Sequence, residues 1–256
     1  MWRRLRIAAL LLALAVTALY AWTDQRRVAA WRDALWVAVF PLNGDGRPAT
    51  QHYLDGLGRG DFADIEDFFP REAAAWGVAL GRPVRVELQP QVARLPPRLE
   101  AGAGRLARLA WSLRVRWYAA REGGGAPADI RVFVLFHDPG HVEAVPHSLG
   151  LRKGLLGIVH AYAATAAGAT NSLVIAHEVL HTLGATDKYD PATNLPRYPE
   201  GYGEPDAEPR HPQAFAEIMA GRVAIGPREA VMPAGLEQAL VGRATAAEIG
   251  WLRGAP

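Results

Sequence analysis

His177-Glu178-Val179-Leu180-His181-Thr182-Leu183-Gly184-Ala185-Thr186-Asp187 is the stretch on which the reading of this chain turns. It ends an apolar run, 170–183, that reads as a helix. Helical residues four apart lie one turn apart on one face, so His177 and His181 present both imidazoles to one point. Glu178 stands about 100° round from His177 and can reach a water there without being a ligand. Gly184 falls where a helix ends in a left-handed residue, which lets the chain turn sharply. Three residues on, Asp187 is the first metal-competent side chain beyond that bend. Two imidazoles and a carboxylate suit one zinc ion with a fourth position left for water. Such an ion acidifies its water and polarises a carbonyl, while Glu178 is placed to take the proton and pass it to a leaving amine.

Outward from this segment, the pattern alternates between strand and helix. Residues 35–42 read as a first strand closed by the turn Asn43-Gly44-Asp45-Gly46. Residues 50–76 look helical, with breaks expected near Gly56, Gly60 and Pro70. Residues 83–88 alternate as a strand does, through Val84, Val86 and Leu88. A helix is predicted over 99–118, with Leu106, Leu109, Ala110, Leu113 and Trp117 as its apolar face and Gly123-Gly124-Gly125 ending it. Strands are expected at 130–136 and 155–162. A Pro-rich stretch follows at 191–212, then short helices at 212–220 and 244–252. This order predicts an α/β fold, a mixed sheet backed by helices.

Composition bounds the rest. The chain has 256 residues, half of them hydrophobic, enough for one sizeable core. It has no cysteine, which excludes a disulfide scaffold, thiolate metal sites, iron–sulfur clusters and a cysteine nucleophile. Five arginines against Asp24 give the first 27 residues a charge of +4, which leaves −2 for the remainder of a chain whose total is +2. That average gives no footprint for nucleic acid. Arg3, Arg4 and Arg6 precede an uncharged apolar run, 7–22, that ends in Tyr20, Ala21 and Trp22. It reads as an uncleaved signal-anchor, a membrane helix over 1–27 that holds the protein in the inner membrane with domain 28–256 periplasmic or otherwise extracytoplasmic. The alternative is a signal peptide cut near Ala13-Leu14-Ala15, followed by secretion.

The segment resembles the metzincin clan of zinc metalloendopeptidases. Their long motif is His-Glu-x-x-His-x-x-Gly-x-x-His, with Asp last in the snapalysin-type branch, and residues 177–187 match the Asp form at all five defined positions. The resemblance implies a mostly parallel twisted sheet with an active-site helix, one catalytic zinc ion on His177, His181 and Asp187, and Glu178 as catalytic base. The expected substrate is a peptide or protein. It also implies a methionine turn beneath the metal. Met219 is preferred for it over Met232, because its flanks are apolar and Gly221 permits a tight turn. Where some members carry a tyrosine two residues after this methionine, this chain has Gly221, or Ala234 for the other candidate. Tyr189, Tyr198 and Tyr202 are unranked replacements. By the same resemblance, the 154–161 backbone lines the substrate cleft and can pair with an extended peptide, which brings in Gly157, Ile158, Val159 and His160.

Other residues are read more plainly. His137, His141 and His147 are taken as solvated or structural, with a second metal ion as the alternative. Asp61, Asp64, Glu66 and Asp67 are taken as a solvated helix face. Two rival readings stay open. One is a zincin whose third ligand is Glu200, Glu204 or Glu217; the other is a non-catalytic, metal-stabilised envelope domain that binds partners. Glu178 argues against the second, since a structural site needs no base.

Overall fold

The strand β1 (Leu35–Asn43) is almost wholly buried, so neither face of it can be polar, and its Leu-Trp-Val-Ala-Val-Phe-Pro-Leu text meets that demand. The computed structural model describes Trp2, Arg6 and residues 27–252 except 101 and 153. The expected membrane segment, 7–22, lies outside the described residues, and no described helix is long and apolar enough to cross a membrane.

β1 runs parallel to β2 (Val84–Leu88) on one side and to β3 (Ile130–His137) on the other. Pro41 is tolerated in this central strand because it lies past the end of β2. Its carbonyl accepts from Val92 N on that side, where its own missing N–H would otherwise have pointed. β5 (Leu156–Tyr162) continues the parallel set beside β3, and β4 (Leu149–Leu151) pairs antiparallel with β5 at the edge. The order is therefore β2-β1-β3-β5-β4, a mixed and mostly parallel sheet.

Alternation along the strands divides the core in two. Val37, Val39, Val132 and Val134 face helices α2 (Ala63–Ala75) and α4 (Gly168–Leu183), while Ala38, Phe40, Phe133 and Leu135 face α3 (Arg105–Gly123). A short helix α1 (Pro48–Asp55) precedes α2. The expected break near Gly56–Gly60 is present, but α2 runs through Pro70. Ile65, Phe68, Phe69 and Ala73 are fully buried on both sides of the proline, and that packing outweighs one lost backbone bond. Glu66 also departs from the solvated face, because its carboxylate accepts Val86 N–H at 2.7 Å and so ties α2 to β2.

Two further expectations fail. The predicted apolar face of α3 points outward, with Leu106 82% exposed and Trp117 57% exposed. The sheet takes Trp111, Val115, Tyr118 and Ala119 instead. Both stripes have helical spacing, but Trp111 Nε1–H and Tyr118 O–H find carbonyls, at Pro97 and Arg94, so these two large rings bury without an orphaned donor. The second failure is at 212–220, which is not a helix. Ala216–Glu217 forms a strand, β6, paired with β9 (Ala239–Leu240), and the chain then turns through Met219 and Gly221. The cause is Glu217, whose Oε2 accepts the backbone N–H groups of Met219 and Ala220 and so offers this segment an alternative to helix. A small hairpin, β7 (Val223–Gly226) and β8 (Glu229–Val231), and a last helix, α5 (Arg243–Glu248), complete the chain.

Candidate metal centre

α4 ends at Gly184, whose φ of 114° is left-handed, and Ala185 N–H returns to the Leu180 carbonyl at 3.0 Å. A Cβ at Gly184 would also meet the Arg152 guanidinium at 2.9 Å. The bend is what requires glycine; the arginine tip is flexible and could move aside.

The bend returns Asp187 to the two histidines. Its Oδ1 lies 3.3 Å from His177 Nε2 and 3.1 Å from His181 Nε2. The opposite ring nitrogens are already committed: His177 Nδ1 is 2.9 Å from the Ile218 carbonyl, and His181 Nδ1 is 2.9 Å from the Ala185 carbonyl. A carbonyl can only accept, so each Nδ1 carries a proton and each Nε2 faces Asp187. Two ring nitrogens and a carboxylate oxygen converge, and once both Nε2 atoms are free of protons their lone pairs point to one place. This is the arrangement that a cation resolves, and Nδ1–H to carbonyl is the usual outer support of a metal-binding imidazole. Bonds of about 2.0 Å in a tetrahedral zinc site put ligand atoms about 3.3 Å apart, which matches the two distances. The residues fit a zinc-type ion.

His177, Glu178 and His181 also offer ligand atoms within 4.8 Å of one another. Two carboxylates can therefore compete for the third place. Asp187 fits it better, because one of its oxygens already bridges both Nε2 atoms, whereas Glu178 is 5% exposed and its Oε2 has no hydrogen-bond partner. Burial is the leading influence on Glu178 and raises its pKa, against the pull of the two imidazoles. Asp187 is pushed the other way. Burial alone would raise it, but the imidazoles hold it well below the ordinary carboxylate range. Similarly, burial would lower His181, and the Asp187 and Glu178 carboxylates reverse that to a net rise. One carboxylate is poised to accept a proton and its neighbour to stay ionised.

The outer supports come from far along the chain. Lys188, 3% exposed, donates from Nζ to both Glu248 oxygens at 2.8 Å, and Thr186 N–H donates to the same carboxylate at 2.8 Å. Lys188 N–H also donates to the Met219 carbonyl at 2.9 Å. Asp187 is thus clamped on both sides. Met219 is fully buried next to Ile218, the residue whose carbonyl orients His177, while Met232 is 45% exposed at the rim. Met219 thus lies in the buried turn that orients His177, and Met232 does not.

A cleft of about 510 Å³ opens over this centre, lined in part by Ser148, Leu149, His160, Tyr189 and Arg222. The strand expected to pair with a peptide requires correction. β5 is interior, since β3 and β4 cover its two edges, so Gly157, Ile158 and Val159 are buried and only His160 of the four lines the cleft. The free edge belongs to β4. It approaches α4 closely because residue 150 is glycine; a Cβ there would stand 2.5 Å from His181 Cβ and 2.6 Å from the Glu178 carbonyl.

Among the tyrosines, Tyr189 lines the cleft; Tyr198 stacks under Arg210, and Tyr202 O–H pairs with His211. The three histidines expected in one loop do not assemble, and His137 is the buried last residue of β3. His137 stacks on His160 with Nε2 2.9 Å from its Nδ1, His141 pairs with Asp138, and His147 sits at the cleft rim. Of the rival glutamates, Glu217 is fully buried with four donors on its carboxylate, Glu204 accepts Ala214 N–H, and Glu200 lines a different cavity. The chain matches no known protein-family profile and no curated protein.

Proposed function

We propose that the protein is a zinc-dependent peptidase of metzincin type, anchored in a membrane by its first 27 residues. The observation that carries this reading is the convergence of His177 Nε2, His181 Nε2 and Asp187 Oδ1, with both Nδ1 atoms tied to carbonyls. The antiparallel edge strand above the active-site helix and the buried turn at Met219 lend support. When bound, zinc supplies Lewis-acid polarisation of a carbonyl and a more acidic water. The chain's own residues do the rest. His177, His181 and Asp187 hold the ion. Glu178, with its raised pKa and free Oε2, accepts the proton of the attacking water and delivers it to the leaving amine. β4, the strand at the sheet edge, aligns an extended peptide across the cleft. Tyr189 donates its hydroxyl toward the charge that develops on the carbonyl oxygen. Burial and the nearby Asp187 and Glu178 carboxylates raise its pKa, which keeps that proton in place.

Glu178→Gln in the full-length chain is the test. Zinc content and fold should persist while peptide hydrolysis falls by on the order of a hundredfold or more. Hydrolysis equal to wild type would refute the assigned mechanism. Bound zinc with no hydrolysis of a broad peptide library by the wild type would favour the non-catalytic domain.

A further inference from the structure

Helix α3 buries one stripe and displays another. Leu106, Leu109, Leu113 and Trp117 recur every three or four residues and are 82, 60, 57 and 57% exposed. Leu95 and Leu99 lie in the adjoining loop, which Trp111 and Tyr118 fasten to the helix, and they are 39 and 41% exposed. Single exposed leucines need no explanation, but a row of large apolar side chains does.

The charge around this row is as uneven as its hydropathy. Residues 94–123 hold seven arginines against two glutamates, a local charge of +5 in a chain whose total is +2, with Glu122 ion-paired to Arg121. The Arg94 and Arg121 guanidiniums lie 5.8 and 5.4 Å from the Trp117 ring centroid. Leucines between arginines, with an indole at one end, are what a helix lying in the plane of an anionic bilayer requires. Its apolar side chains enter the acyl boundary and its guanidiniums meet phosphates. Nucleic acid would engage the arginines and leave the leucines in water.

The position of α3 agrees. The continuous described chain begins at Arg27, ion-paired with Asp129, beside the end of α3, where Arg131 Nε donates to the Gly123 carbonyl at 3.0 Å. Directly upstream lies the uncharged run 7–22. The metal centre is on α4, packed on the opposite face of the sheet. A membrane met by α3 therefore leaves the cleft in water.

We propose that the exposed face of α3 lies on the anionic phospholipid surface of a membrane, as a second contact beside the anchor proposed for segment 7–22, and that it sets the domain's orientation. It rests on that anchor reading but involves no residue of the metal centre, so it stands whether or not the peptidase reading does.

The absence of native cysteine makes one introduced cysteine a unique label position. Full-length Leu109→Cys and Leu113→Cys carry an environment-sensitive fluorophore, with exposed Asp64→Cys on α2, across the sheet, as control. Each is reconstituted into vesicles of phosphatidylcholine alone or mixed with phosphatidylglycerol, and flotation verifies that the chain accompanies both. The expected result is a blue-shifted emission at 109 and 113, with quenching by lipid-borne nitroxides. Both signals should be strongest with phosphatidylglycerol, weakened by salt, and absent at 64. Solvent-like emission at 109 and 113 in anionic vesicles overturns the proposal. So does a blue shift without lipid quenching in both vesicle types, which would place protein over the stripe. Shielding by added duplex DNA in place of vesicles overturns it as well.

Discussion

Lys188 Nζ lies 2.8 Å from both carboxylate oxygens of Glu248, so the last helix grips the residue beside Asp187. Sixty residues separate the partners in sequence, and the lysine is 3% exposed. Removing either partner leaves a buried or half-buried charge uncompensated and frees the loop that returns Asp187 to the histidines. Lys188→Met and Glu248→Gln should each weaken zinc binding by about 10–100-fold while leaving the two imidazoles in place. Competition with a zinc chelator measures this.

The same pair predicts an acid response. Burial would raise the Glu248 pKa, but Lys188 and the Thr186 N–H and O–H groups outweigh it and lower it below 4.5. A depressed carboxylate stabilises the fold at pH above its unfolded value. That contribution fades as pH falls from about 4.5 through the lower folded value. Metal-free wild type should therefore lose more stability across this acid range than metal-free Glu248→Gln does. Urea unfolding at stepped pH reads the difference, and parallel curves would show that the pair contributes nothing.

Gly184→Ala should cost about 1–2 kcal/mol, because an L side chain is strained at φ 114°. The loss should be larger with zinc than without, since the bend is what brings Asp187 round. Unfolding midpoints in zinc and in chelator give the two values.

Much of this was legible in the sequence, and the reasons are local. Residues 177–187 encode their own helix, bend and donor set within eleven positions, so contacts with the rest of the chain hardly alter their reading. The strands at β1, β3 and β5 are apolar on both faces, as a parallel interior demands. Most of the misses are long-range; the last helix, expected over 244–252, ends at Glu248 for a local reason, the positive φ of Gly250. Nothing between 99 and 118 says which of two helical stripes meets the sheet; that is decided by carbonyls at Arg94 and Pro97. The 212–220 segment is apolar enough for a helix until Glu217 meets Gly242 N–H and Thr245 O–H from the chain's far end. β4 is three residues long, too short to register as a strand, yet it takes the sheet edge from β5. Its Gly150 carried the one available hint of a close backbone approach.

Glu217→Gln tests the turn. Four donors face the carboxylate, and an amide can accept from only some of them while presenting its own N–H groups to the others. A destabilisation of about 1–3 kcal/mol is expected, with weaker zinc binding because Ile218 moves with the turn. Denaturant unfolding and chelator competition on one preparation check both.

Tyr189→Phe should retain zinc and lower kcat by on the order of a hundredfold, with KM little changed, if its hydroxyl serves the transition state. An equal fall in binding and turnover would make Tyr189 a substrate-positioning residue only.

The central claim concerns a ligand set, and anomalous diffraction at the zinc edge from crystals of the zinc-loaded protein reads it directly. The account predicts one peak bonded at about 2.0–2.2 Å to His177 Nε2, His181 Nε2 and an Asp187 carboxylate oxygen, with Glu178 outside bonding distance. No peak between the two histidines, or a peak there whose third ligand is Glu178, Glu204 or Glu217, would contradict it.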